Sequence, residues 1–175
     1  MPFLPFLRAN APFLLAGFLL SFLSGFGQTY FIAVFAAELR ETNRLGHGEW
    51  GALYAACTMA SAFLMLWSGS FTDRFRVRLL GPAVMAALAL ACLLMATGPT
   101  GWLLPLAIFA LRLFGQGMMV QTSGVAISRW FVASRGRALA IAALGFSVGE
   151  VVMPLAHRRR DHRADHPCHV APAAA

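Results

Sequence analysis

The amino-acid sequence predicts an all-α integral membrane protein of about five transmembrane helices. Of its 175 residues, 59% are hydrophobic, which is more apolar surface than a soluble domain of this size can bury in its core. These residues also gather in long segments, each close to the roughly 20 residues with which a helix crosses the hydrocarbon core of a bilayer. The predicted solvent is therefore lipid. The segments are about Pro12–Ala37, Trp50–Phe71, Leu79–Ala96, Trp102–Ile127 and Ala138–Ala156.

The first segment is too long for a signal peptide and has no small-x-small cleavage site, so we expect it to remain in the mature protein. Gly17, Ser21, Ser24 and Gln28 share one helical face. Small residues allow membrane helices to approach closely, so this face is predicted to be buried, with Gln28 a candidate for the solute or ion pathway. The second segment is expected to bury a similar face, made of Gly51, Ala55, Thr58, Ala62 and Gly69.

The connections between segments differ in charge, and this difference predicts the orientation. Basic residues collect on the cytoplasmic side of membrane proteins. With the N-terminus inside, Arg8 and six loop arginines lie on the inner side, against Arg40 and Arg44 on the outer side. We therefore expect a multi-pass protein of the cell (inner) membrane with a cytoplasmic N-terminus. The six loop arginines are Arg74, Arg76, Arg78, Arg129, Arg135 and Arg137.

A charged residue, Arg112, lies in the middle of the fourth segment. An unpaired charge at that depth costs about 2.5–3.5 kcal/mol, so something must compensate it. Arg112 and Gln116 lie one helical turn apart on the same face. Two interpretations stay open: a cavity-facing cation that meets an anionic solute or relays protons, and a structural arginine paired with a carboxylate.

The fifth segment carries one acidic residue well inside it, Glu150. Gly145 and Gly149 form a G-x-x-x-G pair suited to close helix packing, and Glu150 lies about 100° around the helix from Gly149. Glu150 can thus face a cavity as a proton carrier, or end near the outer interface in water. Because Arg112 and Glu150 lie at compatible depths, we also expect them to pair.

Residues Gly69 to Arg78 read G-S-F-T-D-R-F-R-V-R. This stretch resembles the loop between the second and third transmembrane helices of the major facilitator superfamily, with the pattern Gly, three residues, Asp, Arg or Lys, any residue, Gly, any residue, Arg or Lys. Gly69, Asp73, Arg74 and Arg78 match, while Arg76 stands at the second glycine. The resemblance implies that these residues lock the two helical bundles of a transporter together on the cytoplasmic side.

Two further stretches resemble the same superfamily. R-L-F-G-Q-G from Arg112 is similar to its fourth-helix motif, with the Gly and Gln in shifted order. Trp130 and Phe131, followed by R-G-R-A-L-A, resemble the monocarboxylate and oxalate/formate branch. The resemblance implies the N-terminal bundle of a secondary transporter that moves a small, anionic solute by alternating access, coupled to a proton or a counter-anion.

The composition changes after Ala156. Residues 1–156 are interpreted as a transmembrane bundle, and 157–175 as a basic His/Pro/Ala-rich tail, either disordered or read in a shifted frame. About five helices of a twelve-helix family indicate a truncated transporter; the alternative is an inactive remnant or a non-transporting membrane partner. The tail has irregularly spaced metal-ligand types, from which we predict no metal site. They are His157, His162, His166, Cys168 and His169.

Other classes of function find no support in the sequence. There is no Gly-rich phosphate loop, nucleophile elbow or His-Glu-x-x-His motif, so we expect no enzyme and no cofactor. The net charge of +7 comes from Arg alone, without Lys. These arginines form no basic stripe interleaved with exposed aromatics, so no nucleic-acid partner is expected. The predicted partners are the lipid bilayer and a small solute.

Overall fold

The computed structural model describes residues 3–74 and 76–164, and it describes side chains at residues 6–8, 10–69 and 76–152. This part of the chain is built from helices, without a strand. In chain order they are α1 (Phe3–Leu23), a 3-10 turn (Ser24–Gly27), α2 (Thr29–Thr42), α3 (His47–Arg74), α4 (Val77–Ala96), α5 (Leu103–Ala110), a π-helical segment (Leu111–Met119), α6 (Val120–Trp130) and α7 (Arg135–Ala164).

Within the described residues, four stretches are long and apolar enough to cross a membrane. Each coincides with one of the first four predicted segments, which are thereby confirmed. The fifth predicted segment lies on α7, which is not among the four spans. Side chains of α7 are described to Val152, so the last four residues of the predicted segment, 153–156, lie outside that description. The four spans are Asn10–Thr42, His47–Gly69, Val77–Ala96 and Leu103–Trp130.

The fourth span, made of α5, the π-helical segment and α6, lies at the centre of the bundle. It packs against the first span, α3 and α4, while α7 lies along α1 and α6. Side chains that are 1% exposed or less occur from one end of it to the other: Leu104, Ile108, Leu111, Met119 and Ile127. The other spans turn large apolar side chains outward, as expected for surfaces that meet lipid.

The two predicted small-residue faces differ in outcome. The face of the first span is buried, as predicted: Gly17 lies against Ile127, and the hydroxyls of Ser21 and Ser123 are 2.9 Å apart. The prediction for the second span was wrong, because Gly51, Ala55 and Ala62 are exposed. The buried residues of α3 lie instead on another face, at Cys57, Ser61 and Ser68.

The ends of the helices also refine the predicted boundaries. The basic connection expected at Thr72–Arg78 is largely helical, since α3 runs to Arg74 and α4 begins at Val77. At the opposite end, the side chain of Asn43 joins two loops: its Nδ2 donates to the Pro99 carbonyl (3.3 Å), and its Oδ1 accepts from the Gly101 N–H (3.2 Å). The left-handed backbone of Gly98 (φ 65°) and Gly101 (φ 57°) forms a tight turn there.

The predicted tail is in part helical. The backbone of α7 continues past Ala156 to Ala164. Residues 165–175, with His166, Cys168 and His169, lie outside the described residues, as do the side chains of His157 and His162. The expectations about that tail therefore stay predictions.

Candidate functional site

Two irregular backbone segments meet at the centre of the bundle. The first span breaks into a 3-10 turn at Ser24–Gly27, after which Gln28 has an extended backbone (φ −80°, ψ 157°). The fourth span widens into the π-helical segment at the same level. Gly27 and Gly115 bring them together, because a Cβ on either residue would overlap the backbone of the other. Contact of this closeness is open only to glycine.

The break in the first span satisfies its polar groups locally. The Ser24 hydroxyl donates to the Ser21 carbonyl (2.6 Å), and the Gln28 N–H donates to the Gly25 carbonyl (3.1 Å). The Gln28 carbonyl then accepts from the N–H groups of Phe31 and Ile32, which begins α2. Non-helical backbone at membrane depth is tolerated where protein surrounds it, and Ser24 is fully buried.

Arg112, on the π-helical segment, is 7% exposed and reaches across to this break. Its Nη1 donates to the Thr29 hydroxyl (3.1 Å), and its guanidinium lies 5.3 Å from the centre of the Tyr54 ring. The Tyr54 hydroxyl donates to Thr29 as well (3.1 Å). The Arg112 Nε is buried and has no partner within the described part of the chain. The cation is thus held in place but not neutralised.

Glu150, the other charge expected at membrane depth, is exposed on α7. It interacts electrostatically with Tyr30, whose hydroxyl lies next to Gly149. The predicted ion pair of Arg112 with Glu150 is not formed among the described contacts. Arg112 bonds Thr29, whereas Glu150 acts electrostatically on Tyr30, the next residue of α2. The pairing was expected because consecutive helices are often neighbours, and α7 does pack along α6. Arg112, however, lies on the π-helical segment, while the other main contacts of α7 are with the first span.

Comparison of the sequence with family profiles assigns this architecture to a known family. A sequence profile described as Major Facilitator Superfamily matches residues 17–157, a range that holds the break, the π-helical segment and both charges. The chain belongs to the major facilitator superfamily. It is accordingly a multi-pass membrane protein of a transporter family, with the all-α bundle typical of that superfamily. No curated protein and no solved structure matches it significantly.

The structure describes the side chains of only some residues of the superfamily motif at the end of α3. Gly69 lies on α3 next to the Gln121 side-chain amide, and Arg78 is exposed in the first turn of α4. Asp73 and Arg74 fall in the last turn of α3, with side chains outside the described residues. Their role as a conformational lock stays a prediction.

The other candidates surround the same centre. Gln28 is 8% exposed at the break, while Gln116 is exposed one turn beyond Arg112. Gly145 lies against the Phe18 carbonyl and Gly149 against that of Phe22, so both glycines face the first span. No group of three or more His, Cys, Asp or Glu that could hold a metal occurs among the residues with described side chains.

Thr29 and Tyr54, the two residues that contact Arg112, were not predicted. Their spacing from Arg112 in the sequence gives no sign of contact. The available signal was Gly25-Phe26-Gly27 inside an apolar segment, since two glycines so close together weaken a helix and favour a break. A break would have placed Thr29 at the start of a new helix.

Proposed function

We propose that this major facilitator superfamily protein handles a small anionic solute and that Arg112 is its point of contact. The observation that carries the proposal is the buried guanidinium, which makes one hydrogen bond, to Thr29, within the described chain. A guanidinium has five N–H donors, in a fork that suits carboxylate or phosphate oxygens. An anion would fill the unused donors and offset the cost of the charge.

Two polar residues close to Arg112 are exposed. They are Thr29, which accepts the hydrogen bond from Arg112, and Gln116, one helical turn beyond it. We propose that a solute approaches the buried guanidinium from their side. The break in the first span adds support, because broken helices line the binding sites of secondary transporters. Gln28, beside the break, completes the proposed pathway.

Glu150 is the proposed proton carrier. It acts electrostatically on Tyr30, the residue next to the Thr29 that bonds Arg112. Ionisable groups within membrane helices commonly mark such proton pathways. Exchange against a second anion is the other coupling mode implied by the resemblance to the monocarboxylate and oxalate/formate branch.

The test is the thermal stability of the purified full chain in detergent, with acetate and oxalate as probes and chloride at equal ionic strength as the reference. We expect the carboxylates to raise the melting temperature of the wild type. Arg112→Gln should lose the shift and Arg112→Lys should keep part of it. Arg76→Gln, which removes an exposed arginine elsewhere, is the matched control. An unchanged shift in Arg112→Gln would exclude Arg112 as the contact.

Uptake of labelled oxalate into liposomes separates transport from binding. Uptake that requires Arg112 would support a transporter, whereas binding without uptake would support the non-transporting membrane partner. The same liposomes can report on Glu150: if it carries protons, Glu150→Gln should abolish acceleration of uptake by a pH gradient while leaving oxalate-for-oxalate exchange in place.

The orientation is proposed from the arginines. Arg76, Arg129 and Arg135 lie at one end of the bundle, and the loops joined by Asn43 lie at the other. In a background free of Cys57, Cys92 and Cys168, an impermeant thiol reagent applied from outside should label Gly48→Cys and miss Val132→Cys. Both positions are exposed, and a Cβ at Gly48 meets nothing within 4 Å. The reverse labelling would invert the topology.

A further inference from the structure

A basic cavity lies between the start of α7 and the first turns of α1. Its volume is about 640 Å³. Phe6 and Phe131, whose ring centroids are 5.7 Å apart, both line it. Trp130 lines it as well and contacts Phe13 outside the cavity, at 5.1 Å between centroids. Arg135 and Arg137, both exposed, line its mouth. The cavity is not part of the site around Arg112.

The charges around this cavity have one sign. Its lining includes Arg135 and Arg137 but neither Asp nor Glu. Asn10, which also lines it, already donates to the carbonyl of Phe6 (3.0 Å). The lining thus offers cationic donors with no carboxylate to occupy them, which selects an anionic group.

An apolar groove of about 560 Å³ runs along the same two helices. It is lined by Leu7, Ala11, Leu14 and Phe18 of α1 and by Ile141 of α7, with Arg8 at its edge. Ile141 lies four residues, about one helical turn, beyond Arg137 of the cavity. The apolar groove therefore extends deeper along the bundle than the basic cavity, in the order in which a bilayer passes from headgroups to acyl chains.

We infer that this pair of features binds an anionic phospholipid. The phosphate lies on Arg135 and Arg137, with Trp130 and Phe131 at the depth of the headgroups, where aromatic rings are favoured. An acyl chain lies in the groove along Leu7, Ala11 and Ile141. Basic pockets between transmembrane helices on the cytoplasmic side are suited to anionic headgroups, and the orientation proposed above places Arg135 and Arg137 on that side. The inference does not depend on the solute or on Arg112.

The test is titration of the purified full chain in detergent with phosphatidylglycerol, monitored by the melting temperature, with phosphatidylcholine of the same acyl chains as the neutral probe. Phosphatidylglycerol should stabilise the wild type and phosphatidylcholine should not. Each arginine near an anionic headgroup changes affinity by roughly fivefold, so Arg135→Gln with Arg137→Gln should weaken the apparent affinity roughly 30-fold. The control combines Arg76→Gln with Arg78→Gln, which removes two exposed arginines near another loop. It should leave the apparent affinity for phosphatidylglycerol unchanged.

Three outcomes would overturn the inference. The first is equal stabilisation by both lipids. The second is an equal loss in the two arginine pairs, which would mean general surface attraction. The third is stabilisation by inorganic phosphate alone to the same extent, which would mean a site for a free anion.

The groove is tested by Ala11→Phe, which fills it, against Ala86→Phe, an exposed position on α4. We expect Ala11→Phe to weaken the binding of phosphatidylglycerol and to leave the melting-temperature shift with inorganic phosphate unchanged. Phosphatidylglycerol binding that is identical in the two variants would exclude the acyl chain from the groove.

Discussion

The second and fourth spans look alike in sequence but behave differently in the fold. Both are long, apolar and dotted with glycine. In the fourth span Gly115 meets the backbone of Gly27, and the helix departs from α geometry. On α3, Gly51 meets nothing within 4 Å, and the helix is regular from His47 to Arg74. A small residue permits close packing, and only a partner of matching shape makes use of it.

The largest expected difference in stability between the two spans comes from replacing a glycine by alanine, which adds one methyl group. Gly27→Ala and Gly115→Ala place a Cβ against backbone, which cannot move aside as a flexible side chain can, so we expect a loss of about 3 kcal/mol in unfolding free energy. Denaturant titration of the purified protein measures it.

Gly51→Ala is the matched control on α3. Its Cβ meets open space, and alanine is the better helix residue by roughly 0.5–1 kcal/mol, so stability should stay level or rise. Equal losses at Gly51 and Gly115 would contradict the difference between the two spans.

A second effect, smaller than the roughly 2.5–3.5 kcal/mol that an unpaired charge costs at this depth, concerns the charge in the fourth span. Because Arg112 has no carboxylate partner in the described structure, Arg112→Leu removes an uncompensated buried cation and strands no anion. We therefore expect insertion into the membrane to improve, by less than the full cost because Thr29 and Tyr54 lose a neighbour. The measurement is membrane-inserted yield.

Glu150→Leu completes a double-mutant cycle with Arg112→Leu. Residues without a shared contact give additive effects within about 0.3–0.5 kcal/mol, and we expect additivity here. A larger coupling energy would show that Arg112 and Glu150 form an ion pair. The description of Arg112 as a cation without a carboxylate partner would then be wrong.

The smallest effect compares two serines. Ser123, in the fourth span, donates to the Gly17 carbonyl (2.9 Å) and accepts from Ser21, so Ser123→Ala should cost about 0.6–1.7 kcal/mol. Ser61 on α3 donates only to the carbonyl of Thr58 in its own helix, and Ser61→Ala should be close to neutral. Thermal unfolding of both variants in the same detergent provides the comparison, and similar losses would count against it.

Much of the fold could be predicted because apolar length and charge are local properties. Four segments fall on candidate spans, and the buried face of Gly17, Ser21, Ser24 and Gln28 follows from helical spacing alone. The same reasoning failed on α3, since a stripe of small residues does not indicate whether another helix covers it.

The site was harder to predict because it depends on backbone geometry. Helical spacing assumes one regular period, so the break at Ser24–Gly27 and the π-helical segment were invisible to it. Arg112 was found because a charge is conspicuous at membrane depth, but Thr29 and Tyr54 become its neighbours only through the contact of Gly27 with Gly115. The expected partner Glu150 was chosen by depth along regular helices, whereas Arg112 lies on the π-helical segment and α7 packs mainly on α1 and α6.

The π-helical segment has a consequence for how this protein tolerates insertions and deletions. Its wider turns accommodate more residues than α-helix, so losing one residue within Leu111–Met119 could tighten the coil without breaking the span. Tightening would return the segment towards α geometry, so the residues beyond the deletion would largely keep their orientation, with Ser123 and Ile127 still facing α1. A one-residue deletion should therefore be tolerated better here than in the regular helix α3, where it would rotate every later residue by about 100°.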